Sequence, residues 1–249
     1  MKLDLSAPHT TYHNSKGRRL VGVTTYCGGL AKEHLHGWYA SEERAGVVRY
    51  MKEQRPLPTK ADGKPLWFAE MKRDKAADLG TITHFRIEAW RRQEVAETTG
   101  LPPDLWSQSQ HGLDRFVAWY REQGFKPVAS EKKVIHERDG MEYGGTIDCL
   151  EVDSSMRKVL LDLKTSKASP WWPYDETYAQ VAAYAEAEGG VERIIVCRVG
   201  KTPGDELQTV ELTAREREAG WMLFRGAYAA YEAKRALAKA RKGSLLPAH

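Results

Sequence analysis

The stretch from Gly144-Gly145-Thr146-Ile147-Asp148 to Leu161-Asp162-Leu163-Lys164-Thr165 constrains this chain more than any other part of it. Gly145–Val152 and Lys158–Thr165 are rich in Val, Ile, Leu and Thr, and they flank a polar tip, Asp153-Ser154-Ser155-Met156-Arg157. That pattern predicts strand, loop, strand. A hairpin centred on Ser155 sets Val152 opposite Lys158, Leu150 opposite Leu160, Asp148 opposite Asp162 and Thr146 opposite Lys164. Side chains alternate between faces of a strand, so Asp148, Asp162 and Lys164 fall on one face. Opposed side chains have Cβ atoms roughly 4.5–5.5 Å apart, and two like charges that close repel. A divalent cation is the obvious means of offsetting them. A slip of one residue would separate the trio.

An acidic-x-Lys tripeptide is common at solvated strand edges, but the neighbours of Asp162 argue against one here. Val159-Leu160-Leu161-Asp162-Leu163 is apolar on both faces, as in a central, buried strand. A buried charge without a partner is expensive, which points to a functional carboxylate. Two more constellations accompany it. Thr177–Glu188 reads as a helix with Gln180 and Tyr184 at i and i+4, on one face. Gly80-Thr81-Ile82-Thr83-His84-Phe85-Arg86-Ile87-Glu88 reads as helix, with His84 and Glu88 on one face. Taken singly, each is equally compatible with an ordinary helix surface or a satisfied structural histidine.

Together and in this order, the four pieces resemble the RecB-like branch of the PD-(D/E)xK nuclease superfamily. Gly80-Thr81-x-x-His84-x-x-x-Glu88 is similar to its first motif, Gly144-Gly145-x-Ile147-Asp148 to the second, Asp162-Leu163-Lys164 to the third and Gln180-x-x-x-Tyr184 to the fourth. The match runs from about Leu79 to Val199, and its look is nearest to phage and mitochondrial-type exonucleases of that branch. Ile147 stands where many members have proline.

The resemblance implies an α/β fold with a restriction-endonuclease-like core: a mixed central sheet flanked by helices in the order αβββαβ. It implies Mg²⁺ or Mn²⁺ held by Asp148, Asp162, His84 and the backbone carbonyl of Leu163. Lys164 would orient or deprotonate the attacking water, Glu88 would support His84 or the metal, and Gln180 and Tyr184 would brace the site and contact DNA. The implied activity is a metal-dependent DNA exonuclease of recombination, replication or repair. A flap- or single-strand-cutting endonuclease and an inactive nucleic-acid scaffold are the alternatives. A single-strand annealing or binding protein is an implied partner, and assembly into an oligomer stays open.

The rest of the sequence sets limits. Residues 1–73 are expected to form a helical cap or arch, 74–212 the core, and 213–249 a long helix with a basic tail. Expected elements are a helix near Asp74–Thr98, an amphipathic segment Leu113–Gln123 and a strand near Lys132–Glu137. A strand Arg193–Val199, a short strand Leu207–Leu212, and a helix from Thr213-Ala214-Arg215-Glu216, a capping-box pattern, to about Lys242 complete the set. Gly220 and Gly226 are expected to bend or weaken that helix. With 41% hydrophobic residues the chain can build a core, and no apolar run approaches a membrane span. The N-terminus lacks the apolar region of a signal peptide. The three cysteines, Cys27, Cys149 and Cys197, lie far apart and cannot supply the four ligands of an iron–sulfur cluster. A reducing compartment is expected, the cytoplasm, of a bacterial host if the gene is phage-borne. Net charge is only +4, but Lys16, Arg18 and Arg19, and Lys234, Arg235, Lys239, Arg241 and Lys242, form basic clusters suited to phosphates. Behind the acidic strand, Thr165, Ser166, Lys167, Trp171, Trp172 and Tyr174 are candidate DNA contacts, with one tryptophan expected in the core and the other exposed to stack on bases.

Overall fold

A computed structural model describes residues 1–5, 10–30, 33–166 and 171–244. A small ribbon, β1 (Tyr12–His13) and β2 (Arg19–Leu20), is followed by α1 (Val23–Cys27), α2 (Glu33–Lys52), α3 (Phe68–Arg92) and α4 (Pro103–Gln123). Then come β3 (Lys126–Arg138), β4 (Met141–Val152), β5 (Lys158–Ser166), α5 (Asp175–Glu188), β6 (Arg193–Gly200), β7 (Gln208–Glu211) and α6 (Ala214–Ser244). The strands β3 to β7 form one mixed sheet in sequence order, parallel only between β5 and β6, where α5 makes the crossover. This is the mixed, helix-flanked sheet with a long C-terminal helix that the sequence predicts.

β5 is apolar on both faces because both are covered. Leu160 packs with Ala179, Ile194 and Phe224 on the α5/α6 side, whereas Val159, Leu161 and Leu163 pack with Ile87, Phe116 and Tyr120 of α3 and α4. By alternation, Asp162 and Lys164 point toward α5.

The register of the central hairpin is the one expected: Val152 pairs with Lys158, Leu150 with Leu160 and Cys149 with Leu161. Asp153 fixes the tip. Its Oδ1 accepts the backbone N–H groups of Ser155 (2.9 Å) and Arg157 (3.0 Å), and its Oδ2 accepts Arg157 Nε (2.9 Å) and Arg193 Nη1 (3.1 Å). Burial alone would raise this carboxyl, but those donors outweigh it and hold it at about 2.

Several boundaries differ from expectation. α3 starts at Phe68 and ends at Arg92, where Gln93 turns left-handed (φ 57°). α4 begins ten residues before Leu113, with Pro103 in its first turn. Its polar first half serves the buried Arg86, which donates to the Trp106 carbonyl and, at 3.1 Å, to Ser109 Oγ. β3 is longer at its start than expected and takes in Ser130 and Glu131. α6 opens with the anticipated capping box, Glu216 N–H donating to Thr213 Oγ1 at 3.2 Å and Thr213 N–H to Glu216 Oε2 at 2.8 Å. It runs unbroken through Gly220 and Gly226. At Gly220 a Cβ would lie 2.5 Å from the Tyr178 carbonyl oxygen, so the glycine lets α6 lie close on α5.

The N-terminal residues join the sheet. Gly144 N–H donates to the Val21 carbonyl at 3.1 Å, and Val23, Tyr26 and Cys27 share a core with Tyr143, Ala183 and Phe224. No described helix is long and apolar enough to cross a membrane.

Candidate active site

The β4–β5 ladder stops at Cys149–Leu161, one residue short of Asp148 and Asp162. The expected pairings of Asp148 with Asp162 and of Thr146 with Lys164 are therefore not formed, because β4 parts from β5 there. The split leaves Leu163 without a β4 backbone partner. Its N–H donates instead to Asp148 Oδ2 at 2.6 Å, and its carbonyl is hydrogen-bonded by the His84 ring. Thr146 turns the other way, its Oγ1 2.9 Å from Tyr12 Oη.

Asp162 is 1% exposed. Its Oδ2 lies 2.5 Å from Lys164 Nζ yet accepts no hydrogen bond, so a buried carboxylate oxygen faces only a cation. Lys164 Nζ also donates to Gln180 Oε1 at 3.3 Å, and Gln180 Nε2 donates to Tyr184 Oη at 2.9 Å. An unbroken polar chain thus runs Asp162–Lys164–Gln180–Tyr184, the i, i+4 pair on α5 bracing the lysine. Gly145 makes room for it: a Cβ there would sit 2.4 Å from the Tyr184 ring. At Gly144 a Cβ would sit 2.3 Å from Tyr12, and at Gly80 one would sit 2.8 Å from Thr165 Oγ1. The glycines of the first two motifs are thus close-approach positions for α3, α5 and the N-terminal ribbon.

Helix α3 brings His84 and Glu88 to the same place. His84 Nδ1 stands 3.9 Å from Asp148 Oδ2, whereas Glu88 pairs with Arg92 at 2.7 Å. The third member of the His84 group was not foreseen. One ligand atom each from His84, Glu131 and Asp148 lie within 4.8 Å of one another. Asp162 stands outside that group, drawn to Lys164. Glu131 escaped sequence reading because the strand was expected to start at Lys132. Its only signal is position: Ser130 pairs with Cys149 and Lys132 with Ile147, which sets Glu131 across from Asp148.

The electrostatics report a surplus of carboxylates. Burial, and then Asp148, push Asp162 up to about 6 against the pull of Lys164, and burial raises Asp148. Glu131 is exposed at its edge, but burial of its carboxyl end beside Asp148 and Glu88 pushes it up to about 8. Burial raises Glu88 as well. Burial lowers Lys164, but Asp162 and Asp148 outweigh it and hold its ammonium above the usual value. Burial and then Lys164 depress His84 to about 4, so its imidazole is neutral and available as a ligand. Carboxylates, a neutral imidazole and a carbonyl form an oxygen-rich donor set suited to Mg²⁺ or Mn²⁺. The unpartnered Asp162 oxygen fits such an ion.

A cleft of about 1270 Å³ opens onto Asp148, Glu131, Thr146, Gln180 and Tyr184, and Arg18, Arg19, Arg138 and Arg235 stand along it. A smaller recess of about 260 Å³ is lined by Lys164, Gln180, Tyr174 and Thr24. Of the tryptophans, Trp171 is buried in the core and Trp172 is 69% exposed, as expected for one of each; Tyr174 is also exposed. Thr165 and Ser166 end β5 half-buried, the Ser166 carbonyl accepting Arg198 Nη1 at 3.1 Å. Lys167 lies outside the described residues.

No protein-family model matches the sequence, and no curated protein matches it. Among solved structures, the chain is similar to a candidate exonuclease from Eubacterium rectale at 14% identity and a TM-score of 0.42, covering 78% of this chain and 82% of that one. It is also similar to LHK-Exo, solved in complex with dAMP, at 14% identity and a TM-score of 0.39, covering 69% of this chain and 92% of that one. At these TM-scores the likeness carries no weight for function, which is read from the site itself.

Proposed function

We propose that this chain is a divalent-metal-dependent nuclease of the PD-(D/E)xK type, RecB-like branch, that hydrolyses phosphodiester bonds at DNA ends. The observation that carries the reading is the Asp148–Asp162–Lys164 constellation at the strand split, with one buried Asp162 oxygen lacking any hydrogen bond. Asp148 and Asp162, with the Leu163 carbonyl and His84, would hold Mg²⁺ or Mn²⁺. The ion would supply charge neutralisation at the phosphate and a lowered pKa for bound water.

The chain's own residues supply the rest. Lys164, kept protonated by Asp162 and Asp148, presents an ammonium to the developing negative charge on phosphate oxygens. Gln180 holds that ammonium in place, and Tyr184 holds Gln180. Asp148 fixes the Leu163 peptide, which sets the direction of the Leu163 carbonyl. Trp172, exposed between β5 and α5, is placed to stack on a base of a frayed end.

Incubation of end-labelled linear DNA and closed circular DNA with Mg²⁺, Mn²⁺ or EDTA tests the reading. Loss of the linear substrate alone, only with metal, is expected. Cutting of circles would turn the reading to an endonuclease, and binding without any cleavage to a scaffold.

A further inference from the structure

The site contains a carboxylate that the four motifs do not include. Glu131 occupies a left-handed backbone conformation (φ 48°), which costs a non-glycine residue roughly 1 kcal/mol or more. Helix α3 clamps the residues just before it. Arg91 donates to the Ala129 carbonyl at 3.2 Å and to Ser130 Oγ, and Arg92 donates to the Ser130 carbonyl at 3.3 Å. Arg91 is anchored in turn by an ion pair with Glu151, both side chains being at most 1% exposed. The helix that carries His84 thus also sets the strand segment that carries Glu131.

The strained backbone delivers a carboxylate to a place where like charges crowd, beside Asp148 and Glu88. No hydrogen bond or ion pair is described for the Glu131 carboxylate. His84, by contrast, is a nitrogen donor within the same small group. Ligands on one Mg²⁺-sized ion stand about 2.0–2.1 Å from it, so two of them lie no more than about 4.2 Å apart. The His84–Glu131–Asp148 group, all within 4.8 Å, needs only a small contraction to meet that limit. Asp162 is not in the group, and its carboxylate is turned to Lys164.

We propose that Glu131 is a cation-ligating residue: with His84 and Asp148 it forms a position for a second divalent ion, separate from the one at Asp162. The proposal rests on the nuclease reading for the Asp162 position, and Asp148 is shared between the two. Glu131 is then the residue that decides whether the site loads one ion or two.

The test is Mn²⁺ titration of the whole chain by calorimetry, with bound Mn²⁺ counted by electron paramagnetic resonance. Wild type is expected to bind two ions per chain. Glu131→Gln is expected to bind one, the other weakened at least about 10-fold, and Asp162→Asn is expected to keep the Glu131 position. Melting in EDTA serves as the folding control: Glu131→Gln should melt no lower than wild type, since it removes a crowded charge and no contact. Wild-type stoichiometry and affinity in Glu131→Gln would overturn the proposal. If Asp148→Asn loses Mn²⁺ while Glu131→Gln is unchanged, the nuclease reading survives and only the role of Glu131 fails. If wild type binds no Mn²⁺ at millimolar concentration, both fail.

Discussion

The Asp148 carboxylate accepts the backbone N–H of Leu163 at 2.6 Å, just past the last backbone pair between β4 and β5. One side chain thus replaces a ladder bond and holds the two strands at the distance a site needs. The strands stay joined as far as Cys149–Leu161 and open where the charged residues begin. The cost of a broken ladder is met by the residue that would bind the metal.

Lys164→Ala should lower cleavage by about 10²–10⁴-fold while DNA affinity stays within about threefold of wild type. Single-turnover cleavage and fluorescence anisotropy on one labelled oligonucleotide separate the two effects. Equal loss of binding and cleavage would mean that Lys164 grips substrate rather than serving the reacting phosphate.

Gly145→Ala should destabilise the chain by about 1–3 kcal/mol, because the new methyl meets the Tyr184 ring. Urea unfolding of Gly145→Ala in a Tyr184→Ala background checks the cause. There the glycine substitution should cost far less, since the ring it collides with is gone.

Trp171→Ala and Trp172→Ala should behave oppositely although the residues are neighbours. The buried Trp171 should cost about 3–5 kcal/mol of stability. The exposed Trp172 should change stability by less than about 0.5 kcal/mol. Its loss should instead weaken binding of frayed or single-stranded ends by about 1–3 kcal/mol, measured by anisotropy.

Asp153→Asn should lower the melting temperature at neutral pH by loosening the hairpin tip, and the difference should close in acid. The folded carboxyl is held at about 2 against 3.8 for an ordinary aspartate, so the unfolded chain takes up the proton first as pH falls. The stabilisation is therefore full above pH 3.8 and lost as pH falls through about 2. Melting curves of both proteins between pH 2 and 7 check this, and a constant gap would contradict it.

Legibility in the sequence followed physical periodicity. The hairpin register could be read because β-branched runs flank a polar tip, and Asp153 supplies the turn hydrogen bonds that such a tip needs. The partnership of Gln180 with Tyr184 and the capping box at Thr213 could be read because helical spacing is fixed. The first half of α4 could not, since Ser109 and Gln110 are polar in order to satisfy a buried arginine from another helix. Glu131 could not, because a left-handed residue inside a strand leaves no mark in hydrophobic patterning. Which of two adjacent tryptophans is buried is likewise decided by the packing around them and not by their order.

The central claim, a metal-dependent site built on Asp148, Asp162 and Lys164, is tested most directly by end-labelled linear DNA incubated with Mn²⁺. Wild type should degrade it with metal and not with EDTA, and Asp162→Asn and Lys164→Ala should each leave it intact while melting cooperatively. Undiminished degradation by either folded variant, or by wild type in EDTA, would contradict the account.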